Sequence, residues 1–382
     1  MTALLSTLAV PSGDAVRALL PTLQRLLDGS APPMLPVPAG DDRETRRLTS
    51  ALRPADPIDE DIGLVMATSG TTGVPKGAQL TAAALRASGD ATHSRLGGTG
   101  SWLLALPAHH IAGMQVLLRS VLSGTEPAVL DVSRGFDPGR IPDAVAAMSG
   151  PRRYTSLVPT QLVKALDHPG ARAGLAELDA ILLGGAAAPA PVLRRALDAG
   201  LNIVRTYGMS ETCGGCVYDG VALPGVRVRV GEDSRIWLGG ATLASGYRGL
   251  PDHPAFAVPG WFRTDDAGVL DGGVLRVLGR LDEAISTGGL TVVPQVVEAV
   301  LTEHPSVREV AVIGLPDERL GQRVTAVVVA TDGAVPTLEA LREHTAASLD
   351  PTAAPRELHV VDALPVRGPG KVDRRALVTR FS

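Results

Sequence analysis

The sequence predicts an α/β protein: a large N-terminal domain of helix-covered sheets carrying an antiparallel β subdomain, followed by a small α+β C-terminal domain. Three observations lead there. From 62 to 206 short apolar runs alternate with helical stretches, the rhythm of parallel sheet covered by helices. Between 221 and 278 the rhythm changes to close-spaced strands with glycine turns, "VRVRV", "RIWLGG" and "GVLRVLG". After "GRLDE" a second unit begins, so the boundary falls at 280 to 282 and divides the chain into 1–280 and 281–382.

Residues 1 to 60 read as a helical, proline-punctuated lead-in: "AVRALLPTLQRLLDG" has helical spacing and "APPMLPVPAG" is a turn-rich connector. The strands that follow are "GLVMAT", "SWLLALP", "PAVLDV", "RYTSLVP", "LDAILLGG" and "LNIVRTYG", with helices at 81–96, 111–123 and 189–199. Ligands of such sheets bind at the carboxyl ends of the strands. The last unit has helices "PQVVEAVLTE" and "TLEALREHTAASL" and strands "VREVAVIGL", "RVTAVVVA" and "ELHVVDAL".

At 382 residues, 45% hydrophobic and 20% charged, the chain has the composition of a soluble globular protein. A net charge of −4 gives no electrostatic reason to expect nucleic acid or an anionic membrane as partner. The start "MTALLSTLAVPSGD" has no basic leader, and no stretch reaches the roughly 18 apolar residues of a membrane span. A cytoplasmic protein acting on small molecules is expected, and the oligomeric state is left open between monomer and homodimer.

Cys213 and Cys216 form "CGGC", half of a metal site at most; His168 and His253 are far off in sequence, so free thiols beside a glycine turn are expected. Lysine is scarce: Lys76, Lys164 and Lys371 stand among 36 basic residues. Two of them lie in the glycine-rich turns "GVPKG" and "GPGKVD", where a compact ammonium reaches between phosphate or carboxylate oxygens.

The stretch "TSGTTGVPKG" follows an apolar strand and departs twice from the Walker A pattern, with Pro75 in place of the glycine before lysine and Gly77 in place of the magnesium-binding hydroxyl. It still offers the backbone amides of Ser69, Gly70 and Gly73, the hydroxyls of Thr68, Ser69, Thr71 and Thr72, and Lys76 as counter-charge, a set that suits a polyphosphate.

That loop resembles the phosphate loop of the adenylate-forming superfamily: acyl- and aryl-coenzyme A ligases, peptide-synthetase adenylation domains and luciferases. Further motifs follow in family order: "LPAHHIAG", "LLGGAAA", "RTYGMSE", "GWFRTDDAG", "GRLDEAISTGGLTVVPQVVE" and "GPGKVDRR". The resemblance implies ATP and Mg²⁺ as cofactors and coenzyme A as co-substrate. It implies that Tyr207 stacks on adenine, that Gly184, Gly185 and Ala186 present backbone to its edge, and that Gly208, Met209 and Ser210 complete the nucleotide site. Glu211 resembles the magnesium ligand, Asp266 the carboxylate that holds the ribose, and Arg280 its partner. Asp265 stands where the family commonly has glycine, which leaves the choice between the two aspartates open. His110 resembles the histidine lining the acyl channel, with His109 a spectator, and "TSLVPTQ" resembles a wall of the acid pocket.

Only 67 residues precede Thr68, short for the superfamily, and this trimmed form is similar to the o-succinylbenzoate-CoA ligases of menaquinone synthesis. The implied acid is an aromatic keto-diacid whose distal carboxylate needs donors. Thr155, Ser156, Gly185, Ser210, Gly214 and Gly215 are the candidates, with His110 near the reacting carboxylate. The implied reaction forms an acyl-adenylate and pyrophosphate, with Lys76 and Lys371 offsetting charge; the thiol of coenzyme A then displaces AMP. The resemblance also implies that the C-terminal domain is a mobile lid pivoting near Asp282, and that it presents Lys371 for adenylation and Ser286, Thr287, Gly288 and Gly289 for thioester formation. Another aryl- or acyl-CoA ligase, or an adenylation enzyme loading a carrier protein, would use the same motifs. A dead scaffold would be expected to have lost Lys76, Glu211 or Lys371.

Overall fold

The computed structural model describes residues 2–68, 74–367 and 371–382, with residues 367 and 371 described through their backbone alone. Among these residues an eleven-stranded sheet runs through most of the large domain, a four-stranded sheet stands beside it, and a five-stranded sheet belongs to the C-terminal unit.

Parallel pairing sets the frame of the large sheet. Ser101–Leu104, Arg153–Leu157, Ala180–Leu183 and Ile203–Met209 lie side by side in parallel, in register Trp102↔Tyr154, Leu182↔Ser156 and Leu182↔Val204. Every residue of "SWLL" and "AILL" is buried, as strands covered on both faces require. Helices take up both faces. Ala82–Arg95 starts where the Thr81 hydroxyl accepts the Ala84 N–H at 3.1 Å, and Ile111–Ser123 stops where Gly124 turns left-handed. Trp102, Tyr154 and Tyr218 are the largest fully buried side chains, with the Trp102 and Tyr154 rings 5.1 Å apart.

From Gly214–Tyr218 onward the same sheet continues in antiparallel order through Val221–Ala222, Val274–Arg280, Trp261–Asp271, Arg235–Gly240 and Val226–Val230. The antiparallel strands are thus an extension of the parallel sheet.

Two expectations need correction. "APPMLPVPAG" is not only a connector, because Met34–Pro38 is a parallel strand between Ser6–Val10 and Ile62–Thr68. Its prolines are tolerated because pairing with Ile62–Thr68 is confined to Met34↔Leu64, so no ladder on that side asks for their missing N–H. Leu35 and Val37 are buried, and that apolar demand outweighs the turn signals. "PAVLDV" shrinks to Ala128–Val129 at the edge of the sheet.

In the C-terminal unit Gly321–Ala330 pairs antiparallel with Val307–Asp317 and parallel with Glu357–Val360; Ile285–Thr287 and Leu290–Val292 complete the sheet. Helices Pro294–Leu301, Leu338–Ala346 and Arg374–Phe381 accompany it. The Arg280 N–H donates to Gln295 Oε1 at 3.2 Å, tying the end of the large sheet to the first of these helices.

Candidate active site

The chemistry-bearing residues gather where strands of both N-terminal sheets end. Ile62–Thr68 and Lys76–Thr81 form an antiparallel pair in register Thr68↔Lys76, so Lys76 stands at the foot of the phosphate loop. Ser69, Gly70, Thr71, Thr72 and Gly73 lie outside the described residues. The Lys76 ammonium is 3.0 Å from His253 Nε2 and 5.1 Å from the centroid of the Tyr247 ring.

Tyr247 belongs to a segment docked on Lys76–Thr81 by backbone bonds: Gln79 N–H to the Gly246 carbonyl at 3.0 Å, Ser245 N–H to Gln79 at 2.9 Å and Arg248 N–H to Gly77 at 2.8 Å. Arg248 fastens the far end. Its guanidinium donates to the carbonyls of Leu52, Arg53, Asp56 and Pro57 at 3.3, 3.1, 3.0 and 2.6 Å. Held in this way, Tyr247 donates its hydroxyl to Glu211 Oε1 at 2.5 Å. Burial pushes the Glu211 carboxyl up from its ordinary range; the Tyr247 bond and the charges of Lys76 and Arg280 pull it back.

A second cluster adjoins the first. The Tyr207 hydroxyl donates to Asp266 Oδ2 at 2.7 Å, and Arg280 Nη1 lies 3.5 Å from Asp266 Oδ1. Burial raises the Asp266 carboxyl, and burial with the neighbouring Asp266 charge raises the Tyr207 phenol. Asp265 is exposed, is held by Arg235 Nη1 at 3.1 Å and lies 3.9 Å from Arg280 Nη2. Of the two aspartates, Asp266 is the one built into the cluster. Arg280 also grips Asp282 with two bonds, Nε at 2.7 Å and Nη2 at 2.6 Å, which connects the end of the large sheet to the first turn of the C-terminal unit.

Two glycines are required by close approach. A Cβ on Gly184 would sit 2.3 Å from the Thr206 hydroxyl, and one on Gly208 would sit 2.1 Å from the Gly214 carbonyl. These contacts let the ends of adjacent strands converge, with Gly185 and Ala186 exposed beside them and Met209 leading into the turn Ser210–Thr212. Gly214 and Gly215 return antiparallel to Met209 and Gly208.

His110 is exposed at the N-terminus of Ile111–Ser123 with its ring 4.2 Å from His109. Thr155 is fully buried and its hydroxyl donates to the Leu103 carbonyl at 2.9 Å. Ser156 alternates to the other face. Cys213 and Cys216 are buried free thiols, and among the described residues no group of three or more His, Cys, Asp and Glu could hold a metal. Ser286 and Thr287 end a strand, and Gly288 and Gly289 turn the chain back into Leu290–Val292. Lys371 pairs through its backbone with Arg367; its side chain, and residues 368–370, lie outside the described residues.

Sequence reasoning missed Tyr247, Arg248 and His253, which carry no motif of their own, and it missed two buried polar side chains. Arg119 is 3% exposed, stacks on Trp102 at 5.1 Å and bonds the Tyr218 hydroxyl at 3.4 Å; among the described residues its Nε has no partner. Gln115, one turn earlier, packs against Gly214, and neither atom of its amide has a partner. A charged residue inside the largely apolar "IAGMQVLLRSVL" was the signal available.

Known proteins share this arrangement. The AMP-binding enzyme family matches residues 14–248. The chain belongs to that family. The C-terminal domain of AMP-binding enzymes matches residues 296–371 in addition. Over 379 residues, 98% of each chain, this AMP-binding enzyme is 61% identical to a probable 2-succinylbenzoate–CoA ligase of Mycobacterium tuberculosis. A 2-succinylbenzoate–CoA ligase of a Geobacillus species is 33% identical over 343 residues, 83% of this chain and 69% of that one. A feruloyl-CoA synthase of an Amycolatopsis species is 33% identical over 352 residues, 84% and 70% of the two chains. Among solved structures, ATP-bound MatB of Rhodopseudomonas palustris superposes with a TM-score of 0.84 at 23% identity, covering 99% of this chain and 88% of that one. The o-succinylbenzoate-CoA synthetase MenE of Bacillus subtilis, in complex with its acyl-adenylate intermediate, gives 0.76 at 24% identity, covering 98% and 87%. These structures establish the adenylate-forming fold of the AMP-binding enzyme.

Proposed function

We propose that this AMP-binding enzyme is an acid–thiol ligase that joins 2-succinylbenzoate to coenzyme A through an acyl-adenylate, in the cytoplasm, as a step of menaquinone biosynthesis. The observation that carries the substrate is the 61% identity with a probable 2-succinylbenzoate–CoA ligase across 98% of both chains.

In the first half-reaction a substrate carboxylate oxygen attacks the α-phosphorus of ATP and pyrophosphate leaves. In the second, the sulfur of coenzyme A attacks the acyl carbon, AMP leaves and the thiol proton goes to solvent. Tyr207 offers its ring face to adenine, Asp266 and Arg280 receive the ribose, and Lys76 with Lys371 offsets the phosphate charge. No protein nucleophile is required. Glu211 fits a Mg²⁺ carried by the nucleotide: it is one buried hard-oxygen ligand, and among the described residues no group of three or more His, Cys, Asp and Glu could hold a metal, so phosphate oxygens and water would supply the rest. When bound, the ion neutralises charge on the triphosphate.

The pair Arg119 and Gln115 supports a diacid. A buried guanidinium without a carboxylate, beside an amide without partners among the described residues, has the donors to receive a distal carboxylate next to Gly214. Ser156, Ser210 and the amides at Gly214 and Gly215 would add donors, and His110 would stand at the channel mouth. The feruloyl-CoA synthase relative favours a second reading, a different aryl acid on the same machinery.

Incubation with ATP, Mg²⁺, coenzyme A and a panel of 2-succinylbenzoate, benzoate, ferulate, acetate and palmitate, read by mass spectrometry, decides between them. The 2-succinylbenzoyl thioester is expected with the highest kcat/KM by a wide margin. Faster turnover of ferulate or a fatty acid would overturn the substrate and leave the family standing.

A further inference from the structure

His253 lies in the loop before Trp261–Asp271, caps the short turn Pro254–Phe256, and holds the ammonium of Lys76 at 3.0 Å. Its other ring nitrogen, Nδ1, faces the Ala255 N–H at 3.2 Å. A neutral imidazole has one lone pair to offer, so two donors compete for one acceptor. With the proton on Nδ1 the ring accepts from Lys76; with the proton on Nε2 it accepts from Ala255.

We propose that His253 is a positioning residue for Lys76: it holds the ammonium at the foot of the phosphate loop while no nucleotide is bound and gives it up to phosphate oxygens when ATP arrives. The exchange leaves nothing orphaned. Once Lys76 turns to phosphate, the imidazole takes its other tautomer and Nδ1 accepts from Ala255, so the hold is breakable at little cost. The alternative for a free lysine on a four-carbon stem is a wide range of rotamers, all but a few of which miss the phosphates. The edge of the ring packs on Tyr247 at 4.7 Å, which keeps the imidazole in place whichever tautomer it adopts.

The groups that face His253 are Lys76 from the strand Lys76–Thr81, Tyr247 from the docked segment and Asp265 from Trp261–Asp271. Burial and then the Lys76 charge depress its protonation, and Asp265 opposes them. The imidazole is therefore neutral and able to accept at neutral pH. As pH falls through its lowered value it takes up a proton, loses its acceptor and repels Lys76.

The kinetic part of the inference rests on the ATP-dependent reading, and the spectroscopic part does not. Nitrogen-15 histidine NMR of the full nucleotide-free chain, with the His253 ring assigned by its loss in His253→Gln, should show a titration below that of an ordinary histidine. Lys76→Met should move that titration upward; an unmoved titration would overturn the contact. In ATP–pyrophosphate exchange with 2-succinylbenzoate, His253→Ala should raise KM for ATP about fivefold, because the ammonium must then be ordered when ATP binds. It should change kcat less. His253→Gln, whose amide oxygen still accepts from the ammonium, should recover most of that loss and should lack the acid limb of the wild-type profile. A glutamine variant as impaired as the alanine variant, or an alanine variant with the wild-type KM, would overturn the inference. Wild-type protein without exchange on any acid would instead sink the functional reading, and the NMR titration would still decide the contact.

Discussion

Tyr247 and Glu211 meet across 2.5 Å, phenol to carboxylate, and the bond joins stretches 36 residues apart in sequence. Glu211 is 7% exposed, a depth at which an isolated carboxylate would protonate. The phenol fixes Oε1, and the Lys76 and Arg280 charges act on the same group. Arg248, bonded to four carbonyls of the segment 52–57, fixes Tyr247 in turn. The direction in which this carboxylate presents its second oxygen is set by a loop that no motif marks.

Tyr247→Phe removes the hydroxyl and keeps the ring that Lys76 and His253 lean on. We expect adenylate formation to fall about tenfold or more, the cost of one hydrogen bond to a buried charge. Thioester formation from supplied acyl-adenylate should stay near wild type. Equal losses in both half-reactions, measured by pyrophosphate exchange and by thioester yield, would remove Glu211 from the adenylation step.

Arg119 should show opposite signs for stability and affinity. An unpaired buried guanidinium is a burden on the free enzyme, so Arg119→Met should leave Tm unchanged or raise it. The same change should raise KM for 2-succinylbenzoate at least about thirtyfold, because losing a buried charge partner costs ~2 kcal/mol or more. Unsubstituted benzoate should be indifferent. A panel of the two acids with the variant and the wild type reads this directly, and an unchanged KM for the diacid would place the receptor elsewhere.

Burial pushes the Cys216 thiol up to about 12, and Cys213 is raised as well. With a pKa there, about one Cys216 in ten thousand is thiolate at pH 8. Iodoacetamide at that pH should therefore label the native protein at neither cysteine and the urea-unfolded protein at both. Replacing both with serine should keep activity within a few-fold, and no zinc should copurify. Stoichiometric zinc, or rapid native labelling, would contradict the burial.

What the sequence made legible was whatever had a period or a motif. The helices around 82–95, 111–123 and 190–198 and the apolar strands declared themselves, while Lys76, Glu211 and the pair Asp265–Asp266 stood out as candidates through their motifs. The strand Met34–Pro38 did not, because its prolines read as turn signals while its burial depends on neighbours far along the chain. Strand alternation places Thr155 on a face without saying which backbone carbonyl its hydroxyl meets. Tyr247, His253 and Arg248 reach Glu211, Lys76 and Leu52 across more than thirty positions of sequence, so their roles become visible once the segment has docked.

The clasp between Arg280 and Asp282 bears on the last expectation. Arg280 reaches Asp266 on one side and holds Asp282 with two bonds on the other, so the start of the C-terminal unit is tethered to the residues that would receive the ribose. If the lid pivots there, the turn carrying Lys371 serves adenylation and the segment 286–290 serves thioester formation, one face after the other. Lys371→Ala should then abolish adenylate formation from ATP and acid while supplied acyl-adenylate still yields the thioester. Asp282→Pro removes the clasp, fixes φ at the pivot and drives Leu281 away from helical geometry in the turn Leu281–Glu283. It should slow the second half-reaction more than the first, because only the second needs the turn to change conformation after the adenylate has formed. Single-turnover measurements of each half-reaction test both variants, and a Lys371→Ala enzyme slowed equally in the two, or in neither, would rule out alternating faces for this chain.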